Sequence, residues 1–134
     1  HHLKDYINNV TAVEYKKSIS FHPHDKCLAT TGFDDCSTII YDFSATVPII
    51  KYRLKHHTST IMYVSFHQYF PLFASCSKNG LTLVYNFSKR PPVIQHHLQQ
   101  NTLCTWFVAF HPNLLFLVTS SMCRKITLYN LNRI

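Results

Sequence analysis

Glycine is nearly missing from this chain, with two in 134 residues. That scarcity excludes a glycine-rich phosphate-cradling loop, and leaves turn positions that normally take glycine to be filled by other residues. Acidic residues are also few, six against thirteen Lys and Arg, for a net charge of +7 and a pI near 9.3. No paired-carboxylate signature and no His-Glu-x-x-His zinc motif is present, and the charge favours an acidic partner such as nucleic acid. Apolar runs of about 18 residues are absent, so no membrane-spanning helix is predicted, and no signal peptide is visible. The five cysteines are an odd number without a Cys-x-x-Cys pair, which argues against a disulfide framework and for a reducing intracellular setting.

Histidine, by contrast, is abundant at ten residues. The adjacent pairs His56-His57 and His96-His97 invite a metal reading, but neighbours on a strand point to opposite faces, so neither pair offers two ligands to one ion. No metal and no other cofactor is expected. Asp34, Asp35 and Cys36 form the one acid-thiol cluster and fall in a turn. No nucleophile, base and orienting acid stand together, so no enzyme activity and no small-molecule substrate are expected.

What the chain does have is a threefold repetition. Phe21-His22-Pro23, Phe66-His67-Gln68 and Phe110-His111-Pro112 recur at spacings of 45 and 44 residues. Tyr41-Asp42, Tyr85-Asn86 and Tyr129-Asn130 follow them by 20, 19 and 19 residues. A period of about 40 to 45 residues closed by an aromatic-acid dipeptide is the signature of WD-repeat propeller blades. The fold class is therefore all-β, a WD-repeat β-propeller of three degenerate four-stranded blades over about 12–56, 57–97 and 98–134. Residues 1–11 read as the end of a preceding blade or a tag remnant, His1-His2 in particular. Complete propellers typically have about four to eight blades, so the three units read as a partial propeller, part of a larger one or one completed by oligomerising.

Within the second unit the pattern predicts strands over 61–66, 72–75, 81–87 and 93–97. The first unit matches with 18–21, 27–31 and 37–43, and the third with 106–110, 116–119 and 125–131. Cys36 and Arg124 stand at turn positions where Gly80 keeps the usual residue. In regular repeats a buried His-Asp network ties the strands of a blade together. Asp35, Asn79 and Cys123 fall at the Asp position and His57 and His97 at the His position, so the network is expected in part through Asn79 and His57. The repeated His22, His67 and His111 read as turn or packing devices.

The strand beginning near Ile50 carries Lys51, Arg53 and Lys55 alternating with Ile50, Tyr52 and Leu54. Alternation would place three cations on one face, a stripe able to track phosphates, with Lys89 and Arg90 of the next unit extending it. The competing reading is a solvated edge strand whose lysines discourage sheet-to-sheet aggregation.

The run Tyr52-Arg53-Leu54-Lys55-His56-His57, with Val64-Ser65-Phe66-His67 and Tyr69-Phe70-Pro71-Leu72-Phe73-Ala74-Ser75, resembles the C-terminal propeller of the block-of-proliferation family of ribosome-biogenesis WD-repeat proteins. The longer approach from His97 to Phe110 and the stop soon after Tyr129 also resemble that family. The resemblance implies the C-terminal part of a seven-bladed propeller, acting as a non-enzymatic scaffold in large-subunit assembly and rRNA processing. It implies a nucleolar location, a pescadillo-type protein and a second WD-repeat protein as partners, and contact with pre-ribosomal RNA. The connection from Asn86 to His97 is shorter than that family's usual insertion, and the family's N-terminal region is not in this sequence. The alternative is a general protein-interaction adaptor without an RNA role.

Overall fold

The computed structural model describes residues 18–31, 35–99 and 103–133. The reading of 1–11, the start of the first blade at residue 12 and the side chain of Cys123 lie outside the described residues. Strands β1 (Ile19–Phe21), β2 (Cys27–Thr31), β3 (Thr38–Asp42) and β4 (Ile49–Leu54) form one antiparallel sheet in that order. Strands β5 (Ile61–Phe66), β6 (Leu72–Ser77), β7 (Leu81–Asn86) and β8 (Val93–Gln99) form the second. Strands β9 (Thr105–Phe110), β10 (Phe116–Ser121) and β11 (Lys125–Asn130) form the third, with a 3-10 turn at Met122–Arg124. Strand order follows chain order in every sheet, the meander of successive propeller blades. The first two units have the expected four strands, and the third shows three among the described residues. The structure is otherwise the expected all-β partial propeller.

Burial explains why the strands differ in sequence. β6 (LFASCS) is buried along its whole length and β7 (LTLVYN) everywhere but its last residue, because the middle sheet is packed on both faces. A strand covered on two sides reads as a continuous apolar run rather than an alternating one. One core layer joins Ala29, Ile40 and Leu54 of the first sheet to Val64, Phe66, Phe73, Leu83 and Tyr85 of the second. The other joins Leu72, Ala74, Cys76, Val84 and Leu98 of the second to Val108, Leu117 and Leu131 of the third. The rim strands β4 and β8 are largely exposed, each with its buried leucine, Leu54 or Leu98, near the end.

The His-bearing repeat is the turn device that the sequence suggested. In each blade the imidazole Nδ1 accepts two backbone N–H groups from the following turn. The donors are His24 and Asp25 for His22 (3.0 and 2.9 Å), Tyr69 and Phe70 for His67 (2.9 and 3.0 Å), and Asn113 and Leu114 for His111 (both 3.1 Å). A ring nitrogen that accepts twice is unprotonated, which puts the proton of the neutral ring on Nε2. In His67, fully buried, Nε2 donates to the Leu114 carbonyl at 2.9 Å and so ties the second blade to the third. The rings also bridge blades: His22 lies 5.1 Å from Phe66, and His67 lies 5.0 Å from Phe110, centroid to centroid.

The glycine shortage has its cost where the sequence placed it. Cys36 and Arg124 adopt φ of 54° and 61°, and Gly80 has φ of 87°. A Cβ in the left-handed region costs roughly 1–2 kcal/mol. Cys36→Gly and Arg124→Gly are each expected to raise the unfolding free energy by about 1 kcal/mol, part of the relief being returned through the freer unfolded chain. Gly80→Ala is expected to lower it. Urea denaturation of the three variants checks this, and no gain at either position would mean that the turns relax at no cost.

Candidate functional site

Two sets of residues stand out, a polar network inside the middle blade and the rim formed by β4, β8 and their flanking loops. The network begins with the Tyr-Asp and Tyr-Asn pairs. Tyr85 is fully buried between Phe73 and the first blade, and its hydroxyl meets His56 Nδ1 at 3.0 Å. Burial raises its pKa, against the opposing hydrogen bond from Ser75. Tyr41 is nearly buried and Tyr129 partly so, and burial raises both. The acidic or amide member of each pair ends its strand. Asp42 Oδ1 accepts from the backbone N–H of Ser44 at 2.8 Å and Asn86 Oδ1 from that of Ser88 at 2.9 Å. Asn130 Oδ1 accepts from the N–H of Asn132 at 3.0 Å. These are Asx turns, which redirect the chain after each third strand. The serine two residues after Asp42 and Asn86 is the mark of this role in the sequence. Hydrogen bonds from Ser44 hold the Asp42 carboxyl below its ordinary range.

The His-Asp network forms differently from the sequence expectation. His57 is buried and its Nε2 lies 2.8 Å from Ser75 Oγ, but its Nδ1 has no partner among the described residues. Asn79 does not reach it. Its amide oxygen instead accepts from Ser77 Oγ and from the Leu81 N–H, and its amide nitrogen donates to Thr58 Oγ1 at 3.4 Å. Asn79 is thus a turn residue, bonded within its own loop and to the loop before β5. His97 is an exposed residue of β8, opposite Leu83, and enters no such network. In the first blade Asp35 at the matching position accepts from the Ser37 N–H and hydroxyl, which lowers its pKa.

At the rim, the even alternation expected of Lys51, Arg53 and Lys55 is interrupted. Ile40 pairs with Tyr52 and Tyr41 with Ile50, so Lys51 is the extra residue of a β-bulge. The same bulge recurs at Gln95, between partners of Val84 and Tyr85. An added residue shifts the side-chain alternation of the strand, which is why the cations do not share one face. The Lys51 ammonium lies 5.7 Å from the Tyr52 ring centroid and lines a hollow with Asp25 and Asp42. Arg53 Nη1 lies 3.5 Å from Asp35 Oδ2, a half-exposed pair worth at most about 1 kcal/mol. Arg53 and Lys55 line a second hollow, toward Pro91, Pro92, Val93 and Ile94 of the next blade. Lys89 and Arg90 are exposed in the connection leading to β8.

Among the described residues no group of three or more His, Cys, Asp or Glu is placed to hold a metal ion. Burial pushes the Cys27 thiol up to about 11 and the Cys76 thiol up to about 12, away from the thiolate form a nucleophile needs. Cys27, Cys36, Cys76 and Cys104 are free.

Comparison with known proteins agrees with the repeat. The family described as WD40, "WD domain, G-beta repeat", matches residues 2–42 and 49–86, more than half of the chain. The fold is similar to that of Sqt1 from Saccharomyces cerevisiae, a solved structure, with a TM-score of 0.75 at 14% identity. The alignment covers 84% of this chain and 31% of that one, so the chain spans about a third of the length of Sqt1. No curated protein matches the sequence significantly.

Proposed function

We propose that this chain, which belongs to the WD40 repeat family, is a non-catalytic binding scaffold in assembly of the large ribosomal subunit, joining protein partners to pre-ribosomal RNA. The stacked blades support the protein-binding part, because WD repeats are platforms for protein partners. The observation that carries the RNA part is the rim charge. Lys51, Lys89 and Arg90 are exposed there, and the described acids are limited to Asp25, Asp35 and Asp42. Asp35 offsets Arg53 and Lys55 in part, and Asp25 and Asp42 lie beside Lys51, so the five rim cations Lys51, Arg53, Lys55, Lys89 and Arg90 outnumber the three described acids and leave a net positive surface for phosphates. The resemblance in residues 52–75 to the block-of-proliferation family supplies the biological setting. It suggests a nucleolar location, with a pescadillo-type protein and a second WD-repeat protein as partners.

The test is affinity capture of the tagged full-length protein from its own cells, with identification of the bound proteins and RNA. Large-subunit precursor rRNA together with a pescadillo-type protein is the supporting result. An unrelated protein complex without RNA would leave the alternative, a general interaction adaptor. In vitro, the combined variant Lys51→Glu, Lys89→Glu and Arg90→Glu is expected to weaken binding to single-stranded RNA and to flatten its salt dependence by about 2 in the logarithmic slope. An unchanged slope would mean that these cations are only solvated.

A further inference from the structure

The hollow between the first two blades has a character the RNA reading does not use. Its volume is about 600 Å³, and Leu54, Pro92, Val93 and Ile94, with the ring of Tyr52, give it an apolar lining. Leu54 and Pro92 are buried, whereas Val93 and Ile94 remain 46% and 39% exposed among the described residues. Arg53, Lys55 and His56 complete the lining and bring the charge. Asp35 is the one acid beside them among the described residues, 3.5 Å from Arg53 and within electrostatic reach of Lys55, so two cations face a single carboxylate. One wall is β4, which among the described residues is hydrogen-bonded on its β3 side alone and so offers a strand edge.

The geometry points to this interblade groove as the docking site of an extended acidic peptide segment of a protein partner, with alternate aliphatic side chains seated between Leu54 and Ile94. The edge of β4 supplies backbone donors and acceptors for an added strand, and a strand's period of two places carboxylates on one side and aliphatic groups on the other. Lys55 and Arg53 meet the carboxylates. Single-stranded nucleic acid fits the groove poorly, since it is held by open aromatic platforms. Tyr52 is the one aromatic residue of the hollow besides His56, and its ring is already engaged edge-on by Phe87 at 6.4 Å and by the Lys51 ammonium. This assignment rests on the protein-scaffold reading and names the chemistry of a partner for it.

The experiment uses the full chain and a short fluorescent peptide in which glutamate alternates with leucine, followed by fluorescence anisotropy. Two controls accompany it, the same peptide with lysine in place of glutamate, and poly-uridine as competitor. Ile94→Asp and Lys55→Glu, both at accessible positions and checked for fold by circular dichroism, are each expected to weaken the glutamate-leucine peptide about tenfold. The lysine peptide is expected to bind far more weakly, and poly-uridine to leave the bound peptide in place. The assignment is overturned if the peptide fails to bind, if both variants bind it as the parent does, if the lysine peptide binds equally, or if poly-uridine displaces it. Affinity capture with Ile94→Asp separates the two levels: partners retained by this variant while peptide binding is absent would sink the groove and leave the scaffold standing.

Discussion

Phe73→Ala is expected to lower the unfolding free energy by about 3–5 kcal/mol, a large part of the roughly 5–15 kcal/mol that holds an ordinary domain together. Phe73 is fully buried on β6, with its ring centroid 4.9 Å from Phe66 and 5.7 Å from Tyr85. It sits in the layer where the first and second blades meet, so the cavity would open between two rigid sheets rather than beneath a loop. Sheets that hydrogen-bond along their whole length collapse little around a void, which places the cost toward the upper part of that range. Phe73→Leu is expected to recover about half of it. Urea denaturation followed by circular dichroism checks both, and a loss for the alanine variant below about 1 kcal/mol would show that the two blades repack against each other freely.

Acid is expected to destabilise the protein through His57. Burial is the main cause holding its pKa down to about 4, with the neighbouring His56 and His97 acting in the same direction. Its ordinary value is 6.5, so the unfolded chain takes up a proton as the pH falls below about 6.5 while the folded chain refuses it. Stability from the neutral buried ring is thus fully present above that value and drains away between pH 6.5 and 4. Below about 4 both states carry the proton and the loss levels off. Between pH 7.5 and 4.5 the expected loss is about 2–3 kcal/mol. His57→Gln, which can still bond Ser75, is expected to flatten this dependence. Some slope remains, because burial also lowers the pKa of His22 and His96. If parent and variant lose stability in parallel across that range, the proton-refusing group lies elsewhere.

The two expectations differ in how far the sequence could anticipate them. A phenylalanine in an apolar run after Pro71 is recognisable as core, and the repeat places it on the second strand of a blade. That His57 bonds Ser75 and leaves Nδ1 without a partner among the described residues was not legible, because the position of Asn79 in the repeat suggested a partner that the folded turn directs to Ser77 and Leu81. A motif fixes which residues are near one another along the chain, whereas an amide of short reach bonds whatever its own tight turn presents first.

The rim shows the same division. Alternation along β4 predicted a single row of Lys51, Arg53 and Lys55, and the bulge opposite Ile40 and Tyr41 separates Lys51 from the other two. Bulges leave no mark in a hydrophobic pattern, since they arise where one strand must take up an extra residue against its partner. The groove was equally hidden. Its walls are Tyr52 to His56 and Pro91 to Ile94, and they are brought together by the packing of one blade on the next.

By itself the sequence determined the all-β class, the blade period, the strand positions to within a few residues, the left-handed turns at Cys36 and Arg124, and the turn role of His22, His67 and His111. All of these follow from local geometry, namely side-chain period, turn chemistry and the conformational demands of single residues. The tertiary structure alone decided which faces of the middle blade are covered, where His57 and Asn79 find their partners, how the rim cations divide, and that an aliphatic groove opens beside Lys55. Those depend on contacts between residues far apart in the chain, and it is the stacking of blades that sets them.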